Sequence, residues 1–496
     1  MKRSKTPSFI LTLPLATEPW QEHRLNKDFG VACKIYNMLV RDVSCRYNQM
    51  RKTRRYRKAL NSYRTAPKGK KGQYSDLLKQ IQTEYRLTQY GVEKSAVPYQ
   101  HYYAENINSQ IAQKIALRVY DSLSKLMFGN GNRMHTCGYY NFTTIEGKSN
   151  ITGIRFLSDT VFYNGMELKP KINRSDPYIE QALSNRVKFC RLKRVMVRGK
   201  WKFYIQLVLE GCSPIKVNKY GELKNPISKG RVGLDIGPQT LAVCSENNVK
   251  LIEFADKIQS MEDKLRLVNR ALDRSRRFTN PDFFDSDGTY IKCKPHEQRK
   301  WVRSKRYIKL SNERRELYRK QAAIRKLQHR ELVKFILSLG NEVYIENMNF
   351  KALQKRSKET KKSKTGKNLS KKRFGKSLAN KAPAMFVSLL EQKLFSTGGK
   401  LIKINTREAK ASQYQHDSKT YNKSKLSQRT KEVSGYVVQR DLYSAFLIMN
   451  INPDLKTFNE QRCNELFKKF LILHNEEINR LKQNTYTPSS MGIKKF

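Results

Sequence analysis

Arg231-Val-Gly-Leu-Asp-Ile-Gly-Pro-Gln-Thr240 is the stretch from which the fold of this 496-residue chain can be inferred. Apolar residues at 232, 234 and 236 alternate with Gly233, Asp235 and Gly237, and a period of two is typical of a β-strand with one face in a core. Asp235 then lies on the other face, where the glycines leave room around its carboxylate. A carboxylate in a buried strand is costly unless it is paired or binds a metal. Asp235 is therefore either the partner of a nearby lysine or arginine, or part of a metal site.

Two further stretches offer acids that can share such a site. Residues 342–346 are predicted to form a second short strand, with Glu346 on the face opposite its apolar residues. Asp441 lies in the first turn of a predicted helix, and Ala445, one turn later, is small enough for close packing against a sheet. Two acids on strands and one at a helix start can hold two divalent cations about 3.5–4 Å apart, which activate a water and stabilise the leaving oxygen of a phosphodiester.

Three motifs in the chain resemble those of a known family. Residues 233–237, 345–348 and 440–445 resemble the three RuvC motifs of TnpB, the transposon-encoded RNA-guided nuclease, and equally those of the miniature type V CRISPR effectors. The third motif departs from the family pattern, because Tyr443 and Ser444 stand where Asn and Ala are usual. The resemblance implies an α+β multidomain protein with an RNase H-like (RuvC) nuclease core, a β-barrel wedge domain and an α-helical recognition lobe.

The function implied by this resemblance is that of an RNA-guided DNA endonuclease. Such a protein binds a structured guide RNA (transposon-derived or CRISPR RNA), recognises a short target-adjacent DNA motif, forms an R-loop and cuts DNA without needing a protein oligomer. Asp235, Glu346 and Asp441 would be the catalytic residues and the ligands of two Mg²⁺. Because the third motif is altered, a nuclease-silent RNA-guided repressor is an alternative. An ordinary DNA-strand transferase of the RNase H-like class is a third, against which the basic regions ahead of Asp235 argue.

The charge of the chain independently indicates a polyanionic partner. Its 99 Lys and Arg against 43 Asp and Glu give a formal charge of +56, and self-repulsion of this size opposes compaction unless a polyanion neutralises it. A membrane surface is the alternative to nucleic acid, but no apolar run approaches about 18 residues. The eight cysteines are scattered without a Cys-x-x-Cys pair, which predicts reduced thiols in a cytosol, and the resemblance implies a prokaryotic cytosol or nucleoid. The apolar run at 9–16 faintly resembles a signal peptide but contains Pro14, so an opening β-strand is expected.

The resemblance divides the chain into six segments. Residues 1–19 would be the first strand of the wedge barrel, 20–125 the helical recognition lobe, 126–228 the guide-RNA-binding wedge barrel, 229–404 the nuclease core with a helical insertion and a lysine-rich lid, 405–438 a degenerate zinc-ribbon-like insert, and 439–496 the third motif with a helical tail. In the insert the family's four cysteines are absent, and His416 is a lone candidate ligand. One histidine cannot make a tetrahedral zinc site, so no zinc is expected.

Basic residues near aromatic ones are the candidates for nucleic-acid contacts. The candidates are Arg51, Arg54, Arg55 and Arg57 in the helical region, and Arg194, Arg198 and Trp201 in the predicted barrel. The loop 355–381 carries ten Lys and two Arg against one Glu, and is either a phosphate-binding lid or a solvated linker. Candidates for contact with the substrate phosphate are Lys361, Lys362, Lys364, Lys367 and Arg429. For Arg429, a surface ion pair is the alternative.

Overall fold

A computed structural model describes residues 6–493, except 130, 219, 294–296, 298, 358, 361, 364, 367, 370, 372–373, 424 and 426–427. The chain divides into two compact units, Met1–Pro214 (unit 1) and Ile215–Phe496 (unit 2). Both combine helices with a sheet, which agrees with the predicted α+β class. No helix in the described ranges is long and apolar enough to cross a membrane.

Unit 1 combines a bundle of helices with one antiparallel sheet. Its helices are α1 (Pro19–Lys52), α2 (Arg54–Thr65), α3 (Lys71–Glu84), α4 (Gln89–Ser95), α5 (Val97–Tyr102), α6 (Ser109–Met127) and α7 (Pro177–Leu183). Its strands are β1 (Ser8–Ala16), β2 (Thr144–Glu146), β3 (Arg155–Leu157), β4 (Thr160–Tyr163), β5 (Met166–Pro170), β6 (Val187–Val197) and β7 (Lys200–Glu210). Thr53 separates α1 from α2 and caps the second helix by accepting the Tyr56 N–H.

The sheet of unit 1 runs in the order β2-β6-β7-β1-β5-β4-β3. β1 pairs with β7 from Ser8 to Pro14 and with β5 at Leu15 and Ala16, so this strand joins the two halves of the sheet. Among the described residues the ladder ends at β2 and β3 instead of closing on itself, which differs from the predicted β-barrel. The apolar faces of the sheet and of α1, α2, α3, α4 and α6 share one core.

Unit 2 is built on a five-stranded mixed sheet. Its helices are α8 (Gln259–Thr279), α9 (Lys305–Leu339), α10 (Phe350–Leu353), α11 (Gly375–Lys381), α12 (Pro383–Ser396), α13 (Thr406–Ala409), α14 (Arg440–Met449) and α15 (Glu460–Gln483). Its strands are β8 (Arg231–Ile236), β9 (Thr240–Ser245), β10 (Asn248–Glu253), β11 (Glu342–Glu346), β12 (Lys400–Ile404), β13 (Tyr414–Gln415), β14 (Thr420–Tyr421), β15 (Thr430–Val433) and β16 (Tyr436–Gln439).

The five strands follow the order β10-β9-β8-β11-β12. β8, β9 and β10 form an antiparallel meander, while β11 lies parallel to both β8 and β12. Val232, Leu234 and Ile236 pack into a core with side chains of α9 and α12, so the face predicted from their alternation is confirmed. The opposite face of the sheet packs against α14 and α15. α8 and α9 pair through a small core of their own around Leu265 and Leu317.

Candidate active site

A close approach between β8 and α14 brings the first and third motifs together. A Cβ atom at Gly233 would lie 2.1 Å from the Ala445 carbonyl oxygen and 2.5 Å from the Met449 nitrogen. The helix backbone therefore lies directly on the strand, and only glycine leaves space for it. The Gln439 side chain caps the helix by accepting the Leu442 N–H, which defines where α14 begins. Asp441, one residue before Leu442, is consequently held near the strand.

Three carboxyl groups form one electrostatic cluster at this place. In the parallel register of β11 with β8, Ile345 lies beside Leu234, so the next position sets Glu346 beside Asp235. Burial raises the pKa of Asp235 well above its usual range, and the negative charges of Asp441 and Glu346 raise it further. Burial raises the pKa of Glu346 to about 7. Like charges held close together in a partly buried site repel, which is the electrostatic condition that favours a bound cation.

Two arginines partly offset this negative charge. Arg440 Nη2 lies 3.4 Å from Asp441 Oδ1, and Arg429 Nη1 lies 3.8 Å from Asp441 Oδ2. The positive charge of Arg440 also lowers the pKa of Asp235, although less than burial raises it. Arg429, a candidate for contact with the substrate phosphate, thus lies at the site as an ion-pair partner of Asp441.

The donor chemistry of the cluster fits a hard divalent cation. Carboxylate oxygens are the ligands that Mg²⁺ prefers, and Asp235, Glu346 and Asp441 offer three such groups. In their present orientations, no three acidic, histidine or cysteine side chains in the described parts of the chain enclose a metal position. Both oxygens of Asp441 lie near an arginine, so a cation bound there would share the Asp441 carboxylate with Arg429 and Arg440.

The insert at 405–438 contains no cysteine, and other side chains connect it with α14. It contains two small hairpins, β13–β14 and β15–β16. The Tyr443 hydroxyl accepts the His416 N–H at 3.1 Å and lies 2.7 Å from His416 Nδ1. His416 is buried against Phe446 and Phe467, and burial lowers its pKa. Tyr443, the departure from the family motif, is thus one of the residues that connect the insert with α14.

Among the candidates for nucleic-acid contact in unit 1, Arg194 was predicted wrongly. Its guanidinium is fully buried, lies over the rings of Phe29, Tyr139 and Trp201 at 4.2–4.5 Å, and donates to the carbonyl oxygens of Phe142 and Tyr139. A charge so enclosed stabilises the core and cannot reach a phosphate. Trp201 is partly exposed and stacks on Tyr140, whereas Arg198 is exposed at the β6–β7 turn.

Those of the remaining candidates that the structure describes lie on exposed segments. Arg51, Arg54, Arg55 and Arg57 are exposed at the end of α1 and on α2, with Arg55 paired to Glu84 at 2.8 Å. In the lysine-rich loop, Lys362 forms an antiparallel bridge with Asn368, while Lys361, Lys364 and Lys367 lie outside the described residues. The last part of the predicted loop is a helix, α11, instead of a loop, and its final residue, Lys381, is buried and pairs with Glu253 at 2.6 Å.

Comparisons with known proteins identify no relative by sequence. No family model matches the chain, and no curated protein matches it. Among solved structures, the chain is similar to a Cas12f1–sgRNA–target DNA complex solved by cryo-EM, with 12% identity and a TM-score of 0.40, covering 91% of this chain and 99% of that one. A CRISPR–Cas12f ternary complex shows 14% identity and a TM-score of 0.27, covering 89% and 86%. These values are too low to establish a shared fold, so the site is interpreted from its own geometry.

Proposed function

We propose that this chain is an RNA-guided DNA endonuclease of the RuvC type. The observation that carries the proposal is the cluster of Asp235, Glu346 and Asp441, set on two adjacent parallel strands and the start of a helix. The strand order, an antiparallel meander extended by two parallel strands, supports an RNase H-like core. The formal charge of +56 supports nucleic acid as the partner, and the three motifs support guide RNA and target DNA in particular.

In this proposal the three carboxylates hold two Mg²⁺ ions. When bound, these ions supply Lewis-acid stabilisation of the attacking water and of the leaving 3′ oxygen of the phosphodiester. Glu346 would serve as a ligand in its ionised form, and the negative charge of that form would be stabilised by the cation against the burial that raises the pKa of Glu346 in the metal-free protein. Arg429 and Arg440, which lie 3.8 Å and 3.4 Å from the Asp441 carboxylate, would supply positive charge for the non-bridging phosphate oxygens of a bound strand, and the Gln428 carbonyl oxygen that accepts from Arg440 would help to orient its guanidinium. The same two arginines would thus offset the negative charge of Asp441 and position the substrate.

The six segments predicted from the resemblance supply the other parts of the proposal. Residues 1–19 and 126–228 would bind the guide-RNA scaffold. Residues 20–125 would contact the sugar-phosphate backbone of the guide–target heteroduplex, because base pairing between guide and target, not the protein, reads the sequence. The exposed arginines of α1 and α2 are suitably placed for phosphate contacts. The loop 355–381 would cover the strand that enters the nuclease site.

A nuclease-silent RNA-guided repressor is the second candidate function. The observation that favours it is the arginine pair on Asp441, together with Tyr443 in the third motif. To separate the two, RNA that copurifies with the protein is sequenced, and duplex DNA matching the RNA is offered with Mg²⁺ or with EDTA. Endonuclease function predicts cleavage in Mg²⁺ alone. Guided binding without cleavage would favour the repressor, and the absence of any copurifying RNA would refute both.

A further inference from the structure

A short segment after α15, residues 488–492, returns to the carboxylate cluster of unit 2. Ser489–Met491 form a 3₁₀ helix, and the Gly492 N–H donates to the Ser489 carbonyl oxygen at its end. The Met491 side chain is buried in the core that α14 and α15 share, so the segment is packed against the folded unit. It lies outside the three sequence motifs that carry the acids.

The 488–492 segment forms hydrogen bonds on both sides of the cluster. On one side, Gln439 Nε2 donates to the Met491 carbonyl oxygen at 3.3 Å, while Oε1 of the same side chain caps α14. On the other side, Ser490 Oγ donates to Gln239 Oε1 at 3.4 Å, and Gln239 belongs to the loop after β8. The segment therefore links the strand that carries the first acid with the start of the helix that carries the third.

Gly492 lies directly on the side chain of Arg429. A Cβ atom at Gly492 would lie 2.1 Å from Arg429 Cβ and 2.5 Å from Arg429 Cγ, so the aliphatic stem of the arginine leaves room only for a glycine. Gly492 also has a φ of +70°, a conformation that L side chains rarely adopt. Close packing and backbone conformation thus both require glycine at this position.

Arg429 is consequently held at three points along its length. Its carbonyl oxygen accepts the Arg440 N–H at 2.9 Å, its stem packs on Gly492, and its Nη1 atom lies 3.8 Å from Asp441 Oδ2. The side chain is still 32% exposed, so a phosphate can reach the guanidinium. An arginine ordered in this way loses less side-chain entropy when it contacts a phosphate.

We propose that Gly492 is a positioning residue of the nuclease site, and that the 488–492 segment sets where the Arg429 guanidinium lies beside Asp441. The assignment rests on the proposed function, in which Arg429 supplies positive charge for the phosphate of the strand that is cut. Gly492 has no reacting group and acts through Arg429, so its effect on cleavage must disappear when the guanidinium is absent.

Single-turnover cleavage tests this on the full-length protein, loaded with its guide RNA and bound to matched duplex DNA in Mg²⁺. Gly492→Ala should cut more slowly by about ten- to a hundredfold, because its Cβ displaces the arginine stem, while target binding stays nearly unchanged. Gly435→Ala is the matched control. Gly435 has a φ of +78°, and no described atom lies within 4 Å of the place of its Cβ, so this variant should cut at about the wild-type rate. Equal slowing by both variants would overturn the inference.

A double-mutant cycle with Arg429→Gln separates positioning from a general loss of stability. Glutamine keeps the Cβ and Cγ atoms on which Gly492 packs but removes the guanidinium, and it should slow cutting by at least about a hundredfold. Adding Gly492→Ala to this variant should slow cutting no further. Independent effects would multiply, so a double variant slowed by the product of the two single losses would overturn the inference.

Gln439→Ser repeats the cycle without a new atom beside Arg429, and decides the question if Gly492→Ala does not fold. Serine is a favoured residue at the start of a helix but is too short to reach the Met491 carbonyl oxygen. It should loosen the 488–492 segment and slow cutting in the wild-type background, but not in Arg429→Gln; equal slowing in both would overturn the inference and leave the proposed function standing. If the wild-type protein binds matched DNA without cutting it, the proposed function itself fails, and the inference fails with it.

Discussion

Replacing Glu346 by Gln should stabilise the metal-free protein, and more so at higher pH. Glu346 lies beside Asp235 at the end of β11, and burial raises its pKa from 4.5 to about 7. When a carboxyl group has a higher pKa in the folded protein than in the unfolded chain, its contribution to the free energy of unfolding is fully present below the unfolded pKa, near pH 4.5. This contribution is lost as the pH rises through the folded pKa, near 7. The glutamine variant has nearly the same shape but cannot ionise, so it avoids this loss.

The size of the effect follows from the shift in pKa. One pKa unit corresponds to about 1.4 kcal/mol, so the shift of the Glu346 pKa from 4.5 to about 7 corresponds to at most about 3.5 kcal/mol above pH 7. Glu346 is partly exposed, and solvent screening reduces the expected gain to about 1–2 kcal/mol at pH 8. At pH 5 most of the difference between the variant and the wild-type protein should vanish.

Urea denaturation in EDTA at pH 5 and pH 8 measures this difference. Glu342→Gln serves as the matched control, because it changes the same residue type on the same strand outside the carboxylate cluster, and it should show no pH-dependent gain. Adding Mg²⁺ should make the wild-type protein more stable than Glu346→Gln at pH 8. The cation stabilises the wild-type site but has one ligand fewer in the variant. The reasoning is refuted if Glu346→Gln is no more stable than the wild-type protein at pH 8, or if its gain is the same at both pH values.

Three further predictions concern packing and phosphate contacts. Gly233→Ala should destabilise unit 2 by about 3 kcal/mol or more in urea denaturation and impair cleavage, since its Cβ would meet the backbone of α14; Gly237→Ala, the matched control, should destabilise the protein less. Arg194→Met should destabilise unit 1 by about 3 kcal/mol because its carbonyl partners lose their donor, whereas Arg198→Met should leave the melting temperature unchanged and weaken RNA binding. Neutral replacement of the loop lysines should make the salt slope of DNA binding shallower by roughly two to three units and slow cleavage more than it weakens binding, and an unchanged slope and rate would mean a solvated linker. The lysines to replace are Lys361, Lys362, Lys364 and Lys367.

The strands and the helix that carry the acids could be predicted because their burial follows directly from local periodicity. Apolar residues at every second position of β8 can only face one side of a strand, and the structure places them in one core. The same rule, applied more strictly, would have revealed the burial of Arg194. It stands at the same parity on β6 as Cys190 and Leu192, both buried, so its side chain faces the core as theirs do.

Contacts between residues distant in sequence could not be predicted. His416 and Tyr443 are 27 positions apart, and nothing in the residues around either one indicates that they meet. The ion pairs of Arg429 and Arg440 with Asp441 also depend on how the insert folds back on α14. The parallel register that sets Glu346 beside Asp235 is a property of the assembled sheet, so the motifs alone did not establish it.

Cleavage by single-carboxylate variants tests the central claim most directly. The protein, loaded with its guide RNA, is offered matched duplex DNA in Mg²⁺, and binding and cutting are measured separately for wild type, Asp235→Ala and Asp441→Ala. We expect the wild-type protein to cut, and both variants to bind the target almost as tightly without cutting, because each has lost a metal ligand but only one of many charges. Full cleavage by either variant, or guided binding by the wild-type protein without any cleavage, would contradict the account.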